Sequence, residues 1–181
     1  MATLTLELPA HKTQTEFNLR RWTEILADRQ LAKIEGRIET DRHGHIIVMA
    51  PPAPRHGSFQ AEIARLLWNL IHVGRVLTEC PISTADGVKA ADVAWASPER
   101  MKELGEGVCF TQAPEICIEV ISPGNTEAEI EEKRALYFDA GAREVWICAG
   151  DGSMSFFNSG PTTPSQASSL CPNFPKQLKL R

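Results

Sequence analysis

The fold is decided by the stretch PEICIEVISPGNTEAEIEEKRALYFDAGAREVWIC, residues 114–148. Its first nine residues are apolar on both faces of an extended chain, which is typical of a strand in the middle of a sheet. Thr126 and Glu129 then form a capping-box pattern, which predicts a helix that ends at Gly141. The closing segment AREVWIC predicts another strand, so this stretch is expected to form a strand, a helix and a strand.

The sequence before this stretch alternates helix and strand signals. An amphipathic helix is predicted over residues 14–31, where apolar side chains recur at helical spacing. The segments LAKIEGRIE and HIIVMAPP flank the turn-rich TDRHG and predict a β-hairpin. A second helix is expected to begin near Ser58 and to stop at Gly74. The runs RVLTECPI and VKAADVAWA predict two strands, followed by a glycine-rich loop.

The order of these elements predicts an α/β (α+β) fold in which helices flank a mixed central sheet. An N-terminal helix and the hairpin precede that sheet, and SMSFF adds a last strand. A length of 181 residues fits a single domain over residues 1–181. Residues 1–13 and 159–181 are expected to be extended or loosely packed, the latter because Ser, Thr and Pro become frequent there.

Composition narrows the class of protein. The chain is 43% apolar and 23% charged, which is enough for a core and ordinary for a globular domain. No apolar run approaches the roughly 18 residues that a membrane span needs, and no signal peptide is recognisable, so a cytoplasmic location is expected. The five cysteines have no CxxC spacing, which favours buried free thiols over zinc. The net charge of −4 counts against nonspecific DNA binding without excluding a metal-dependent nuclease.

Two charged residues stand where apolar ones are expected. With the two-residue period of a strand, Glu119 shares a face with Cys117 and Ile121, inside an apolar run where an unpaired carboxylate is costly. On the next helix, Lys133 falls in the apolar arc that contains Tyr137. A cation on an inward helix face needs a carboxylate or a phosphate as its partner, although such a lysine is often only a structural ion-pair partner.

Asp92 completes a candidate site. It lies in AADVAWA, the apolar strand that precedes the Glu119 strand in sequence. Two carboxylates on adjacent strands can share Mg²⁺, which lowers the pKa of bound water and neutralises charge on a phosphate. Lys133 beside them would orient the attacking water and stabilise the transition state. Glu62 and His56 are weaker candidates, because alone each is more often a solvated helix or turn residue.

In order along the chain, these segments resemble the Uma-two-like family of restriction-endonuclease-like proteins, part of the PD-(D/E)xK nuclease superfamily. The resemblance runs from about Trp22 to Phe157. It rests on IEGRIE, RHGSFQAEIARLLWNL, AADVAWASPERM and the stretch quoted first. It implies a restriction-endonuclease-like core, a metal-dependent nuclease site and a homodimer.

The resemblance also assigns positions in the site. It places Asp92 at the aspartate of the PD element and Glu119 at the (D/E) position. Ile121 occupies the usual place of the lysine, which implies that this role has moved to Lys133 on the following helix. Ala91 replaces the proline of the motif, but none of the implied metal ligands is missing.

The leading hypothesis is therefore an Mg²⁺-dependent DNA endonuclease, with Mn²⁺ as a substitute. Asp92 and Glu119 would hold the metal with the Val120 carbonyl, Lys133 would stabilise the transition state, and Glu62 would be an accessory ligand or base. His56, Arg55 and Arg134 would contact the substrate. The wider basic rim is expected to comprise Arg20, Arg21, Arg55, Lys89 and Arg134. The alternatives are an inactive nucleic-acid-binding or protein-interaction module and a hydrolase that acts on RNA or nucleotides.

Overall fold

The computed structural model describes residues 14–180. The helices are α1 (Gln14–Ala27), α2 (Pro54–Leu70), α3 (Pro98–Leu104) and α4 (Glu127–Asp139). The strands are β1 (Arg37–Thr40), β2 (Ile46–Met49), β3 (Arg75–Thr84), β4 (Gly87–Ala96), β5 (Ile116–Val120), β6 (Glu144–Cys148) and β7 (Met154–Asn158). One turn of 3₁₀ helix, Leu31–Lys33, follows α1. The segment 1–13, predicted to be extended or loosely packed, lies outside the described residues.

The central sheet has five strands in the order β3-β4-β5-β6-β7, which places β5 in the middle as predicted. Only the β5–β6 pair is parallel, and α4 makes the crossover that a parallel pair requires. The other neighbours are antiparallel, so the predicted mixed sheet is confirmed. The separate hairpin of β1 and β2 is confirmed as well.

Both faces of the sheet are covered. On one face, Phe59, Ile63 and Leu67 of α2 pack on apolar side chains of the central strands. On the other face, Tyr137 of α4 joins a second cluster that includes Cys117 of β5. The alternation of β5 is therefore as predicted, with Glu119 on the α4 side of the sheet.

Several element boundaries differ from the predictions. Helix α1 ends at Ala27 and not at residue 31, and α2 ends at Leu70, before the predicted stop at Gly74. Helix α2 begins at Pro54 after the N-cap residue Ala53, not near Ser58, because proline is well suited to the first helical position. The Ser58 hydroxyl instead donates to the Pro54 carbonyl within the helix. The predicted glycine-rich loop after β4 contains α3, whose N-cap Ser97 accepts a hydrogen bond from the Arg100 N–H.

The cysteines follow the prediction for thiols. All five are free and buried, because each lies within an apolar segment of the core. In residues 14–180, no helix combines the length and apolar character needed to cross a membrane.

The C-terminal segment 159–180 is packed more tightly than predicted. It contains no helix or strand, but Cys171, Phe174 and Leu178 are buried against the α2 face of the sheet. The ring of Phe174 lies 4.7 Å from that of Trp146, measured between centroids. The expectation of loose packing was wrong because it weighed the Ser and Pro content and overlooked three well-spaced apolar anchors.

Glu144 holds this segment in place. Its carboxylate is 1% exposed and accepts hydrogen bonds from Trp146 Nε1 at 2.7 Å and Ser168 Oγ at 2.7 Å. It also accepts from the backbone N–H groups of Ser169 and Leu170, at 2.7 and 2.9 Å. Four donors thus replace the water that a buried carboxylate loses.

Glu144→Ala is expected to lower the free energy of unfolding by roughly 3–5 kcal/mol, because it leaves buried donors without an acceptor. Urea denaturation measures this loss, and the exposed Glu106→Ala serves as the control, with a change of at most about 0.5 kcal/mol. A loss in Glu144→Ala no larger than that of the control would show that Glu144 does not anchor the segment.

Candidate active site

The two predicted carboxylates lie side by side in the sheet. Asp92 is on β4 and Glu119 on β5, and the neighbouring residues Val93 and Ile118 are paired across these antiparallel strands. In this antiparallel register Asp92, just before Val93, lies next to Glu119, just after Ile118. The two carboxylates therefore point to the same face of the sheet, opposite to the face of Val93 and Ile118. Asp92 and Glu119 are only 1% and 3% exposed, and the Val120 N–H donates to Asp92 Oδ2 at 2.7 Å.

Lys133 points inward from α4, as its position in the apolar arc predicts. Its Nζ lies 3.3 Å from Glu119 Oε2 and 2.9 Å from Glu39 Oε1. One helical turn later, the Tyr137 hydroxyl donates to Glu119 Oε1 at 2.6 Å. The capping box at Thr126 fixes the start of α4 and hence the side of the helix that presents these two groups.

The hairpin adds two site residues that sequence reasoning missed. Arg37 Nη1 lies 2.5 Å from Asp92 Oδ1, and Arg37 also reaches Glu79 Oε2 at 3.5 Å. Glu39, two positions along β1, faces the same way and binds Lys133. The segment IEGRIE contained a sequence signal for them, because Arg37 and Glu39 are two residues apart and so lie on one face of a strand.

The start of α2 contributes two further groups. His56 Nε2 lies 3.4 Å from Asp92 Oδ1, and its Nδ1 lies 2.9 Å from Ser122 Oγ. Gln60, one turn later, donates to the Asp92 carbonyl at 2.7 Å and to Glu79 Oε1 at 2.8 Å. Glu79 has a φ of 50°, a strained conformation of the kind that often marks functional sites.

Three predicted site residues lie away from this group of side chains. Glu62 is two positions beyond Gln60, about 200° around the helix, and forms an ion pair with Arg65 at 2.7 Å. Glu62, which we expected to be an accessory ligand or base, therefore points away from the cavity. Arg55 donates to the Gly150 carbonyl, and the guanidinium of Arg134 lies 4.2 Å from the centroid of the Phe157 ring.

The site opens into a cavity of about 380 Å³. Its charged lining consists of six carboxylates and three basic side chains, besides His56, so acid predominates. They are Glu39, Glu79, Asp92, Glu119, Glu129 and Glu132, with Arg37, Lys89 and Lys133. Such a lining attracts a cation more strongly than it attracts a bare phosphate.

The remaining members of the predicted basic rim are engaged elsewhere or paired. Arg20 lies over the ring of Phe17, and Arg21 donates to the Gly44 carbonyl. Lys89 does line the cavity, but it is 7% exposed and forms an ion pair with Asp86. The described residues thus show no basic rim made of the predicted set.

The sequence was compared with known protein families. The family model Uma2, described as "Putative restriction endonuclease", matches residues 26–175. The chain belongs to the Uma2 family. No curated protein matches the sequence.

The fold of this Uma2 protein also has a counterpart among solved structures. The crystal structure of a "putative nuclease belonging to DUF820" from Anabaena variabilis superposes with a TM-score of 0.61. The two sequences are 18% identical, and the match covers 74% of this chain and 79% of the other. This likeness shows a shared nuclease-like fold.

The two central carboxylates of the Uma2 chain differ in acidity. Burial raises the pKa of Glu119 to about 7, and the nearby Asp92 adds to this while Lys133 opposes it. Burial also acts to raise the pKa of Asp92, but His56 and Arg37 outweigh it, so that this pKa lies below its usual value. At neutral pH Asp92 is ionised, whereas Glu119 is close to its midpoint and would be stabilised as a carboxylate by additional positive charge.

The donor set fits a hard divalent cation. Asp92 and Glu119 supply carboxylate oxygens, and Val120, whose carbonyl is the predicted third oxygen ligand, lines the same cavity. Mg²⁺ commonly takes one or two carboxylates and completes its octahedron with water and phosphate oxygens. Within residues 14–180, no three acidic, His or Cys side chains form a ready-made cluster, so an all-side-chain metal cage is not what this site offers.

The acidity of Glu119 predicts a pH-dependent stability. Its pKa is about 7 in the folded protein against an ordinary 4.5, so the folded state holds more protons between these values. The free energy of unfolding of the metal-free protein should therefore fall as pH rises from 5 to 7. Glu119→Gln lacks this group, and its stability relative to the wild type should increase over that interval.

Urea denaturation at pH 5, 6, 7 and 8 in the presence of EDTA measures this difference. Glu106→Gln, a change at an exposed residue, is the matched control. A stability difference between wild type and Glu119→Gln that stays constant with pH contradicts the raised pKa.

Proposed function

We propose that this Uma2-family protein is an Mg²⁺-dependent endonuclease that hydrolyses phosphodiester bonds in DNA. Family membership and the nuclease-like fold support a nuclease in the general sense. The observation that carries the finer proposal is the convergence of Asp92, Glu119 and Lys133 in one cavity, with Lys133 Nζ 3.3 Å from Glu119 Oε2.

Each residue has a defined role in this proposal. Asp92 and Glu119 would hold Mg²⁺ together with the Val120 carbonyl. The bound ion would supply Lewis-acid chemistry, lowering the pKa of water and neutralising charge on the phosphate. Lys133 would orient the attacking water and donate to the oxygens of the transition state. The Tyr137 hydroxyl keeps Glu119 in one orientation through its hydrogen bond.

His56 is proposed to contact the scissile phosphate. It lies at the cavity wall between Asp92 and Ser122, and its hydrogen bond to Asp92 raises its pKa above the usual value. A protonated imidazole at this position would be suited to an anionic oxygen. Arg55 and Arg134, which we also expected to contact the substrate, could do so only at the edges of a larger ligand, since neither lines the cavity.

A nucleotide is a second candidate substrate. The cavity volume of about 380 Å³ lies in the range of small-molecule sites, and the described residues lack the predicted basic rim that a long duplex would use. RNA would meet the same site chemistry. DNA, RNA and nucleotide substrates would all undergo metal-dependent attack on phosphorus and would differ only in the part of the substrate around the reacting phosphate.

A noncatalytic interaction module is supported by a different surface. Trp68 and Val73 are 65% and 63% exposed, and large exposed apolar side chains often mark protein contacts. They lie at or beyond the end of α2 that is remote from His56. The complete set of Asp92, Glu119 and Lys133 in the cavity favours the enzyme.

The deciding experiment compares substrates under one set of conditions. Purified protein is incubated with supercoiled plasmid, linear duplex, single-stranded DNA, RNA and nucleoside triphosphates, with Mg²⁺, Mn²⁺ or EDTA. The proposal expects metal-dependent cleavage of DNA that EDTA abolishes. Cleavage of RNA or nucleotides alone would replace the substrate assignment, and inactivity on all of them would favour the interaction module.

Two further proposals concern the setting of the protein. We propose a homodimer, which light scattering coupled to gel filtration tests through the molar mass. We also propose a cytoplasmic location, supported by five cysteines that are all free and buried.

A further inference from the structure

Arg37 lies among three carboxylates of the site. Its Nη1 is 2.5 Å from Asp92 Oδ1 and 3.5 Å from Glu79 Oε2, and its Nε is 3.8 Å from Glu39 Oε1. Burial acts to lower the pKa of Arg37, but the surrounding carboxylates raise it above its ordinary value. The guanidinium is therefore a permanent charge bound to Asp92 Oδ1, an oxygen that a divalent cation would also use.

The other basic side chains in the cavity wall have their shortest contacts outside the proposed metal-ligand pair. Lys89 Nζ donates to the Thr40 carbonyl at 3.0 Å and to Asp86 Oδ2 at 3.0 Å. Lys133 has its shorter contact with Glu39, at 2.9 Å. Arg37 differs because its shortest contact is to Asp92 itself, so it alone of the three would lose its main partner when a metal binds.

We propose that Arg37 fills the cation position at Asp92 in the metal-free protein and turns to a substrate phosphate when a divalent cation displaces it. This inference rests on the proposed metal site and adds to it a phosphate-binding residue. It also explains how the acidic cavity accepts an anion, although the predicted phosphate-binding arginines lie elsewhere.

The exchange follows from charge and geometry. A metal ion held by Asp92 would compete with the guanidinium for the same oxygen and would repel it. Arg37 lines the cavity and its side chain is 20% exposed, so it can leave by rotation about side-chain torsions. Its planar fork matches two phosphate oxygens, and a substrate phosphate held at the metal site would lie within reach of it in the same cavity.

The proposal predicts opposite effects of one substitution. Arg37→Met keeps the length of the side chain and removes the competing charge, so Mn²⁺ should bind at least tenfold more tightly than to the wild type. A trinucleotide with hydrolysis-resistant phosphorothioate links should bind at least tenfold more weakly when Mn²⁺ is saturating. Isothermal titration calorimetry at pH 7.5 measures both. Arg75→Met, at an exposed residue paired with Ala96 at the far end of β4, is the control and should change neither affinity.

If Arg37 had only a structural role, its replacement would not strengthen Mn²⁺ binding while weakening trinucleotide binding. Mn²⁺ affinity in Arg37→Met that is equal to or lower than in the wild type overturns the proposal, and so does unchanged trinucleotide affinity. If neither wild type nor variant binds Mn²⁺, the proposed metal site fails as well. Binding of Mn²⁺ by the wild type without tightening in Arg37→Met removes only the present inference.

The wild-type protein provides a second measurement that does not depend on the variant folding. The Nε–H resonance of Arg37, assigned by its loss in Arg37→Lys, should shift when Mg²⁺ is added, because the guanidinium loses the contact between Nη1 and Asp92 and moves. A resonance that does not change at saturating Mg²⁺ overturns the proposal.

Discussion

Asp92→Asn is expected to lower the rate of metal-dependent phosphodiester cleavage at least a thousandfold, equivalent to about 4 kcal/mol in the activation barrier. Asp92 is 1% exposed, and one of its oxygens already accepts from the Val120 N–H. Asparagine keeps the size of the side chain but has no negative charge and only one oxygen. That oxygen can satisfy the Val120 N–H or face the cavity, but it cannot do both.

The initial rate of nicking of supercoiled plasmid in Mg²⁺ measures this effect. Asp139→Asn, at an exposed position on α4, is the matched control and should retain wild-type activity. Because the asparagine side chain would place an amide against the Arg37 guanidinium, thermal unfolding of the variant is measured in parallel. A folded Asp92→Asn protein with more than a tenth of the wild-type rate would remove Asp92 from the metal site.

Lys133→Met is expected to lower the cleavage rate by about a hundredfold to a thousandfold while Mn²⁺ binding persists. Electrostatic donors at a transition state typically contribute this much. Lys133 reaches Glu119 from α4, at 3.3 Å, so it is placed to act beside the metal rather than to hold it. Removal of its positive charge should not weaken the binding of a dication.

The distinguishing readout is the split between kcat and metal affinity. Lys102→Met, an exposed change on α3, controls for loss of a lysine charge. If Lys133→Met loses Mn²⁺ binding together with activity, Lys133 acts by supporting the structure of the carboxylates, and its proposed role in the transition state is wrong.

The centre of the site could be predicted from sequence because two local periods determine it. The two-residue period of β5 fixes the side to which Glu119 points, and the helical period of α4 fixes the direction of Lys133. The capping box at Thr126 sets where that helix begins. These patterns are local in sequence, so they can be interpreted without knowledge of the tertiary contacts.

Residues brought in by long-range contacts could not be predicted in the same way. Arg37 is 55 residues from Asp92, and Glu39 is 94 residues from Lys133. The local pattern IEGRIE places both side chains on one face of β1, but their contacts with the site depend on how the hairpin packs on the sheet, which no local pattern encodes. Glu62 was proposed because it lies at the margin of the apolar stripe of α2, but the residue of this helix that reaches Asp92 is Gln60.

The C-terminal segment shows the same limit. Its composition indicates a loop, and the chain there indeed lacks regular structure. Its packing depends on Glu144, whose carboxylate is distant in sequence and receives four hydrogen bonds, two of them from the backbone of Ser169 and Leu170. The composition of such a segment predicts that it lacks helices and strands, but it does not predict which residue elsewhere in the chain holds it in place.

The most direct test of the proposed site is a calorimetric titration of Mn²⁺ into the wild-type protein and into Asp92→Ala/Glu119→Gln. We predict one ion per wild-type chain and at least a hundredfold weaker binding in the double variant, with the fold of both verified by circular dichroism. Equal Mn²⁺ binding by the two folded proteins, or none by the wild type, would contradict the assignment of Asp92 and Glu119 as the metal ligands.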